Sequence, residues 1–252
     1  MMRIVAYVVL GLLAFAGFML ATFPAERAFA LLSEQVPNVR AAGLSGTAWS
    51  GQAKVLQIDG RNLEKLQWQL KPWSVLFGQL ELDIQLDGAD VAGRASIGLQ
   101  PDGAIQLTDV DLSLAAAEMS ILFKVPVDLG GQFLVQLQSA ELMGQKIQSA
   151  EGVIRWQRAA LISPFDQALG EFVAQLSTEA EGDQIEIRAQ VKDEGGPLQL
   201  DGVAKLKPGG SYNFNGSVSV RDAQQKLLVQ GVKAMGRPGK DGRTPLRYSG
   251  RI

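Results

Sequence analysis

The sequence predicts a mainly β protein: a single N-terminal transmembrane helix, then a large curled antiparallel sheet (an open groove, half-barrel or sandwich-like form) with one or two short helices. Three observations predict it. Residues 80–86 alternate without a break, with Leu80, Leu82, Ile84 and Leu86 on one face and Glu81, Asp83 and Gln85 on the other. Successive strand residues point to opposite faces, so this segment has a dry side and a wet side. The pattern recurs downstream, divided by turn-forming clusters such as Asp87-Gly88, Pro101-Asp102-Gly103, Glu181-Gly182-Asp183, Pro208-Gly209-Gly210 and Pro238-Gly239. Ahead of it all, Ile4–Phe23 is uncharged and almost wholly apolar.

That first run holds 20 residues. As a helix rising about 1.5 Å per residue it spans roughly 30 Å, the thickness of a hydrocarbon core. It is continuous and not amphipathic, which argues against a buried core helix. The rival reading is a cleaved signal peptide, whose apolar region is shorter, about 7–15 residues. Ala28-Phe29-Ala30 has the small-x-small form of a cleavage site, but Glu26 and Arg27 part it from the apolar run. Length favours an uncleaved anchor. Arg3 and the α-amino group precede it, and positive charge stays cytoplasmic, which places the rest of the chain across the membrane. The expected organisation is residues 1–23 as cytoplasmic start and anchor, 24–43 as an amphipathic linker helix, and 44–252 as the β domain. Pro24 suits a first helical turn, and Phe29, Leu32 and Val36 share a face. Such a helix lies along the membrane surface or caps one end of the sheet.

In Gly46-Thr47-Ala48-Trp49-Ser50-Gly51 two glycines bracket a tryptophan, so a tight turn is predicted where a large ring is anchored. Strands are predicted at 52–58, 63–70, 91–99, 105–114, 132–140, 147–156, 171–177, 184–191, 198–206, 212–221, 226–234 and 246–251. Pro72 bars a central strand position, so Lys71–Phe77, with Trp68 before it and Trp73 within it, is a corner. Short helices are predicted over Ala115–Phe123 and from Ser163-Pro164-Phe165-Asp166 to Gly170. In the second, serine supplies an N-cap and proline a first turn.

The chain has no cysteine and no histidine. Disulfides, thiolate metal sites, Cys nucleophiles and Ser-His-Asp machinery are therefore excluded. Asp109 and Asp111 form a carboxylate pair that reads as a solvated strand face. Lys146 and Ser149 imitate a Ser-Lys dyad with nothing distinctive around them, and Gly239-Lys240 lacks the upstream glycine of a phosphate loop. Asp87 and Asp90 lack calcium-loop spacing. No catalytic, cofactor-binding or metal-ligating residue is assigned, and no enzyme activity or cofactor is expected.

Net charge is −2, unevenly spread: from Arg221 onward there are eight Lys or Arg and two Asp. A basic end touches anionic headgroups or an acidic partner, or simply guards an exposed strand edge. It lacks the interleaved aromatics of a single-strand nucleic-acid channel, so no nucleic-acid partner is expected.

Taken together, Gly46, Thr47, Trp49 and Gly51, then Trp68, Pro72 and Trp73, then Leu76 and Gly78, resemble the motif of the type II secretion system protein N (general secretion pathway protein N) family. Gly195-Gly196-Pro197-Leu198, the Gly210-Ser211-Tyr212 turn and the closing Gly242–Ile252 segment extend the resemblance over nearly the whole chain. It implies a single-pass inner-membrane protein with a periplasmic β domain, a non-enzymatic accessory to a machine that moves folded proteins across the outer membrane. Its partners would be inner-membrane lipids and other type II secretion components. The family is also distantly similar to AsmA/TamB-like proteins, whose sheets curl into grooves that hold lipid acyl chains. That similarity implies the alternative, a lipid-binding or lipid-transfer module with a phospholipid ligand and with Leu80, Leu82, Ile84 and Leu86 lining the groove.

Overall fold

Most alternating segments are extended, and most strands pair antiparallel with their neighbours in sequence within each of two units. The computed structural model describes residues 2–33, 38–58, 61–76, 78–122, 127–144, 146–163, 166–181 and 184–251. The units are Met1–Ala89 and Asp90–Ile252.

The first unit begins with two helices, α1 (Met2–Ala21) and α2 (Ala25–Ser33). The described large side chains of α1 are exposed: Tyr7, Leu10, Leu12, Phe15, Phe18, Met19 and Leu20. Among the described residues, no helix is long and apolar enough to cross a membrane. α2 covers most of the predicted linker helix, and Val36 lies outside the described residues. The strands are β1 (Val39–Ala42), β2 (Ser45–Gly46), β3 (Ser50–Ile58), β4 (Arg61–Lys71) and, after helix α3 (Pro72–Leu76), β5 (Leu80–Asp87). Their order is β1-β3-β4-β5, with β2 also paired to β3. The short β1 and β2 were not predicted, being too brief to show a period. The proline corner forms as α3.

The second unit contains β6 (Val91–Leu99), β7 (Ala104–Ala115), α4 (Ala116–Leu122), β8 (Asp128–Met143), β9 (Lys146–Ser163), β10 (Gln167–Glu181), β11 (Gln184–Gly195), β12 (Leu198–Leu206), β13 (Ser211–Val220), α5 (Lys226–Met235) and β14 (Thr244–Arg251). These strands form a meander in sequence order, and α4 matches its predicted helix.

Two predicted elements are corrected. Residues 226–234 form helix α5, not a strand. Leu228 and Val232, four apart, are buried on one helical face, whereas a strand would have put Lys226 and Gln230 on the same side as both. The helix predicted from Ser163 to Gly170 is not formed: Ser163 closes β9, Gln167–Gly170 open β10, and Pro164 and Phe165 lie outside the described residues. There the pairing of Gln167 with Leu161 and Ala168 with Ala160 outweighs local capping chemistry.

The second unit's sheet bends on itself. One buried cluster joins Ala140 of β8, Ala150 of β9 and Ile187 of β11, with Leu107, Leu137, Leu176 and Leu206 packed against them. Side chains from strands that far apart meet only if their shared face is concave. β-Bulges supply the bend. Asp109 and Arg158 sit at register breaks with φ near +50°; Lys65 in the first unit has the same φ without a break in register, and all three are exposed. α5 covers part of the apolar face, seating Leu228 against Ala159, Leu169 and Phe172, and Val232 against Val218 and Leu246.

Candidate functional site

Gly46, Thr47, Trp49, Gly51 and Trp68, five of the motif residues singled out in the sequence, converge where α1 leaves for the sheet. The last carbonyls of a helix have no partner within it. Here the Trp49 indole Nε1–H donates to the Leu20 carbonyl at 2.8 Å. The Ala48 N–H donates to the Phe23 carbonyl at 2.9 Å, and Pro24 bridges Thr47. A tight turn presents Trp49: the Thr47 N–H donates to the Ser50 carbonyl at 2.8 Å, and the Ser50 N–H to Thr47 Oγ1 at 3.1 Å.

A second indole locks the turn from β4. Trp68 Nε1–H donates to the Ala48 carbonyl at 3.2 Å, and the Leu70 N–H donates to the Trp49 carbonyl at 2.6 Å. The glycines make room. A Cβ on Gly51 would run into the Trp68 ring and lie 2.6 Å from the Ser45 carbonyl oxygen. Gly46 holds φ +91°, and a Cβ there would meet the Gly51 Cα at 2.7 Å. Gly46, Thr47, Trp49, Gly51 and Trp68 thus build one clasp on the helix exit.

Pro72 and Trp73 lie apart from the clasp, on α3. Ser74 ties that corner together: its hydroxyl donates to the Lys71 carbonyl at 2.7 Å, and its carbonyl accepts from the Gln79 N–H at 3.0 Å. Trp73 is 75% exposed. Beside it, Lys71 Nζ pairs with Glu81 at 3.3 Å and Asp83 at 3.4 Å. The hydrogen bond to Glu81, helped by Asp83, raises the Lys71 ammonium above its ordinary pKa.

Leu80, Leu82, Ile84 and Leu86 lie on β5, with Leu80 exposed and the other three half-buried. They are not among the residues lining the apolar cavity of the second unit, which sequence reasoning missed. That cavity measures about 350 Å³, and Phe133, Trp156, Phe172, Leu198, Leu200 and Met235 are among its lining residues. The Phe133 and Trp156 rings stack at 5.1 Å, and Trp156 meets Phe172 at 5.9 Å. Each falls on an alternating strand segment, so the signal was present. Only the register that sets Trp156 opposite both partners gathers them. Near it in sequence, Arg243 Nε and Nη2 and Thr244 Oγ1 are buried without a hydrogen-bond partner among the described residues.

The Gly195-Gly196-Pro197 turn is fastened by Arg221, which donates to the Gly196 carbonyl at 2.6 Å and pairs with Asp193. Burial alone pushes the Asp193 carboxyl up, but hydrogen bonds from Arg221 and the Leu200 N–H outweigh it and hold the carboxyl below its ordinary pKa. Among the described residues no three acidic, His or Cys side chains converge as a metal site.

These features define a class: an antiparallel β-meander protein whose apolar N-terminal helix is clasped to its first sheet by paired indoles. The chain belongs to the type II secretion system protein N family, whose model matches residues 37–247. It is 28% identical over 249 residues to the type II secretion system protein N of Aeromonas hydrophila, covering 96% of each chain. It is 26% identical over 241 residues to that of Klebsiella pneumoniae, covering 92% of this chain and 90% of the relative. The Vibrio cholerae protein of the same name is 26% identical over 216 residues, 83% of this chain and 84% of that one. No solved structure matches at a significant level.

Proposed function

We propose that this protein is a non-enzymatic inner-membrane accessory of the type II secretion pathway, supporting export of folded proteins across the outer membrane. α1 anchors it, and the two β units stand in the periplasm. The observation that carries the pathway is the family match over residues 37–247. The anchor is supported by the sequence of α1, 20 residues with Arg3 its one charge, and by the clasp, which gives an inserted helix a fixed exit onto the sheet. The partners in this reading are inner-membrane lipids and other secretion components, met along sheet edges where an added strand completes unpaired backbone groups.

The test uses the full chain in its native envelope. The protein resists alkaline carbonate extraction, is cut by protease added to the periplasmic side, and co-isolates with secretion components. Deleting it lowers the amount of exported protein outside the cell. Release by carbonate sinks the anchor, and unchanged export sinks the accessory role.

A second reading, an apolar ligand such as a phospholipid acyl chain, is favoured by one observation: the 350 Å³ cavity of the second unit, lined by apolar side chains. Ligand pockets start at about 300 Å³, while an apolar cavity of about 150 Å³ takes ligands the size of benzene, so one chain fits better than two. In this reading phospholipid co-purifies with the protein by mass spectrometry and is lost when Ala174→Phe fills the cavity. A lipid-free wild-type protein ends it.

A further inference from the structure

We infer that the first unit makes a second contact with the bilayer, through Trp73 and Leu80 at the corner between β4 and β5. The inference rests on the reading of α1 as a membrane anchor. Three segments distant in sequence meet at one end of this unit. Trp49 holds the last turn of α1 through the Leu20 carbonyl. The Trp49 carbonyl in turn takes the Leu70 N–H at 2.6 Å, which sets the end of β4 beside the helix exit. α3 begins two residues later at Pro72. Lys71 pairs with Glu81 across the sheet, so Leu80 stands next to the start of α3.

At that end the exposed surface is apolar. Trp73 is 75% exposed, more than any other large hydrophobic residue described, and Leu80 is 40% exposed. Phe18, Met19 and Leu20 in the last turns of α1 are 67%, 55% and 62% exposed. The corner therefore adds exposed apolar side chains to the end of the unit from which the helix leaves. An indole set there suits the boundary between acyl chains and headgroups, because its ring is apolar and its N–H is polar. The nearby ammonium of Lys71 is already paired with Glu81 and Asp83, so the corner presents no surplus cation. The contact is apolar and needs no anionic lipid.

The full chain is reconstituted in phosphatidylcholine vesicles whose acyl chains carry bromine near the headgroup, and tryptophan emission is compared with that in unbrominated vesicles. The wild type is quenched, and Trp73→Phe loses part of that quenching, the rest coming from Trp49 at the helix exit. Because Trp73 is so exposed, this substitution leaves the far-ultraviolet circular dichroism unchanged. Leu80→Ser, which keeps every tryptophan, lowers the quenching and supports the same contact. If the protein floats with the vesicles and Trp73→Phe is quenched as strongly as wild type, the contact is overturned while the anchor stands. A chain that does not float with the vesicles overturns both.

Discussion

Trp49 and Trp68 act through their N–H groups as much as through their rings. Each indole donates to a backbone carbonyl, Trp49 to that of Leu20 at the end of α1, which also takes the Phe23 N–H at 3.2 Å, and Trp68 to that of Ala48 in the turn. Trp49→Phe keeps most of the ring and removes the donor, so it should cost about 1 kcal/mol, the net worth of one hydrogen bond. Limited proteolysis checks this: cleavage between Ala21 and Pro24 accelerates, while the sheet survives. Asp193 makes a pH prediction. Its pKa is lower folded than unfolded, so it contributes stability above the unfolded carboxylate value of about 3.9, and that contribution is lost as pH falls through the folded value. Denaturant midpoints of wild type and Asp193→Asn should differ at neutral pH and converge in acid. At this scale the sequence was half legible. Two glycines around a tryptophan announced a bend with a seated ring. The acceptor of the Trp49 hydrogen bond, 29 residues away, was not announced, because nothing local encodes a pairing at that distance.

Strands were the legible elements. Residues 91–99 and 198–206 alternate cleanly between clear turns and form strands with those limits. β9 and β10 run well past the predicted ends because their partners extend them, and cross-strand pairing is not visible in one strand's own sequence. α5 was misread because ten residues of mixed apolar and polar character suit either period, and only the packing of Leu228 and Val232 decides. Gly231 tests that assignment. It lies inside α5, exposed, with nothing within 4 Å of an added Cβ. Gly231→Ala should therefore stabilise the protein by up to about 1 kcal/mol, the helix-propensity difference between the two residues. Thermal melting is the check, and a lower midpoint would count against the helix.

At the scale of the molecule, the sequence announced a β protein with an apolar start, through its alternation and its uncharged first run. The apolar cavity was illegible, because it is gathered from β8 to β14 and exists only once a curved sheet has brought them together. A chain without cysteine, and with no metal cluster among its described residues, should melt at the same temperature with or without reductant and chelator. A shift on adding chelator would expose an ion-dependent element.

The order of the strands has one more consequence. In the second unit each strand pairs with the one made just before it. Local pairing closes short loops first, which favours fast assembly. A polypeptide emerging amino end first can therefore pair strand by strand as it appears. Backbone pairing at the newest rim waits only for the next strand, while the apolar face of β9 and β10 waits for α5.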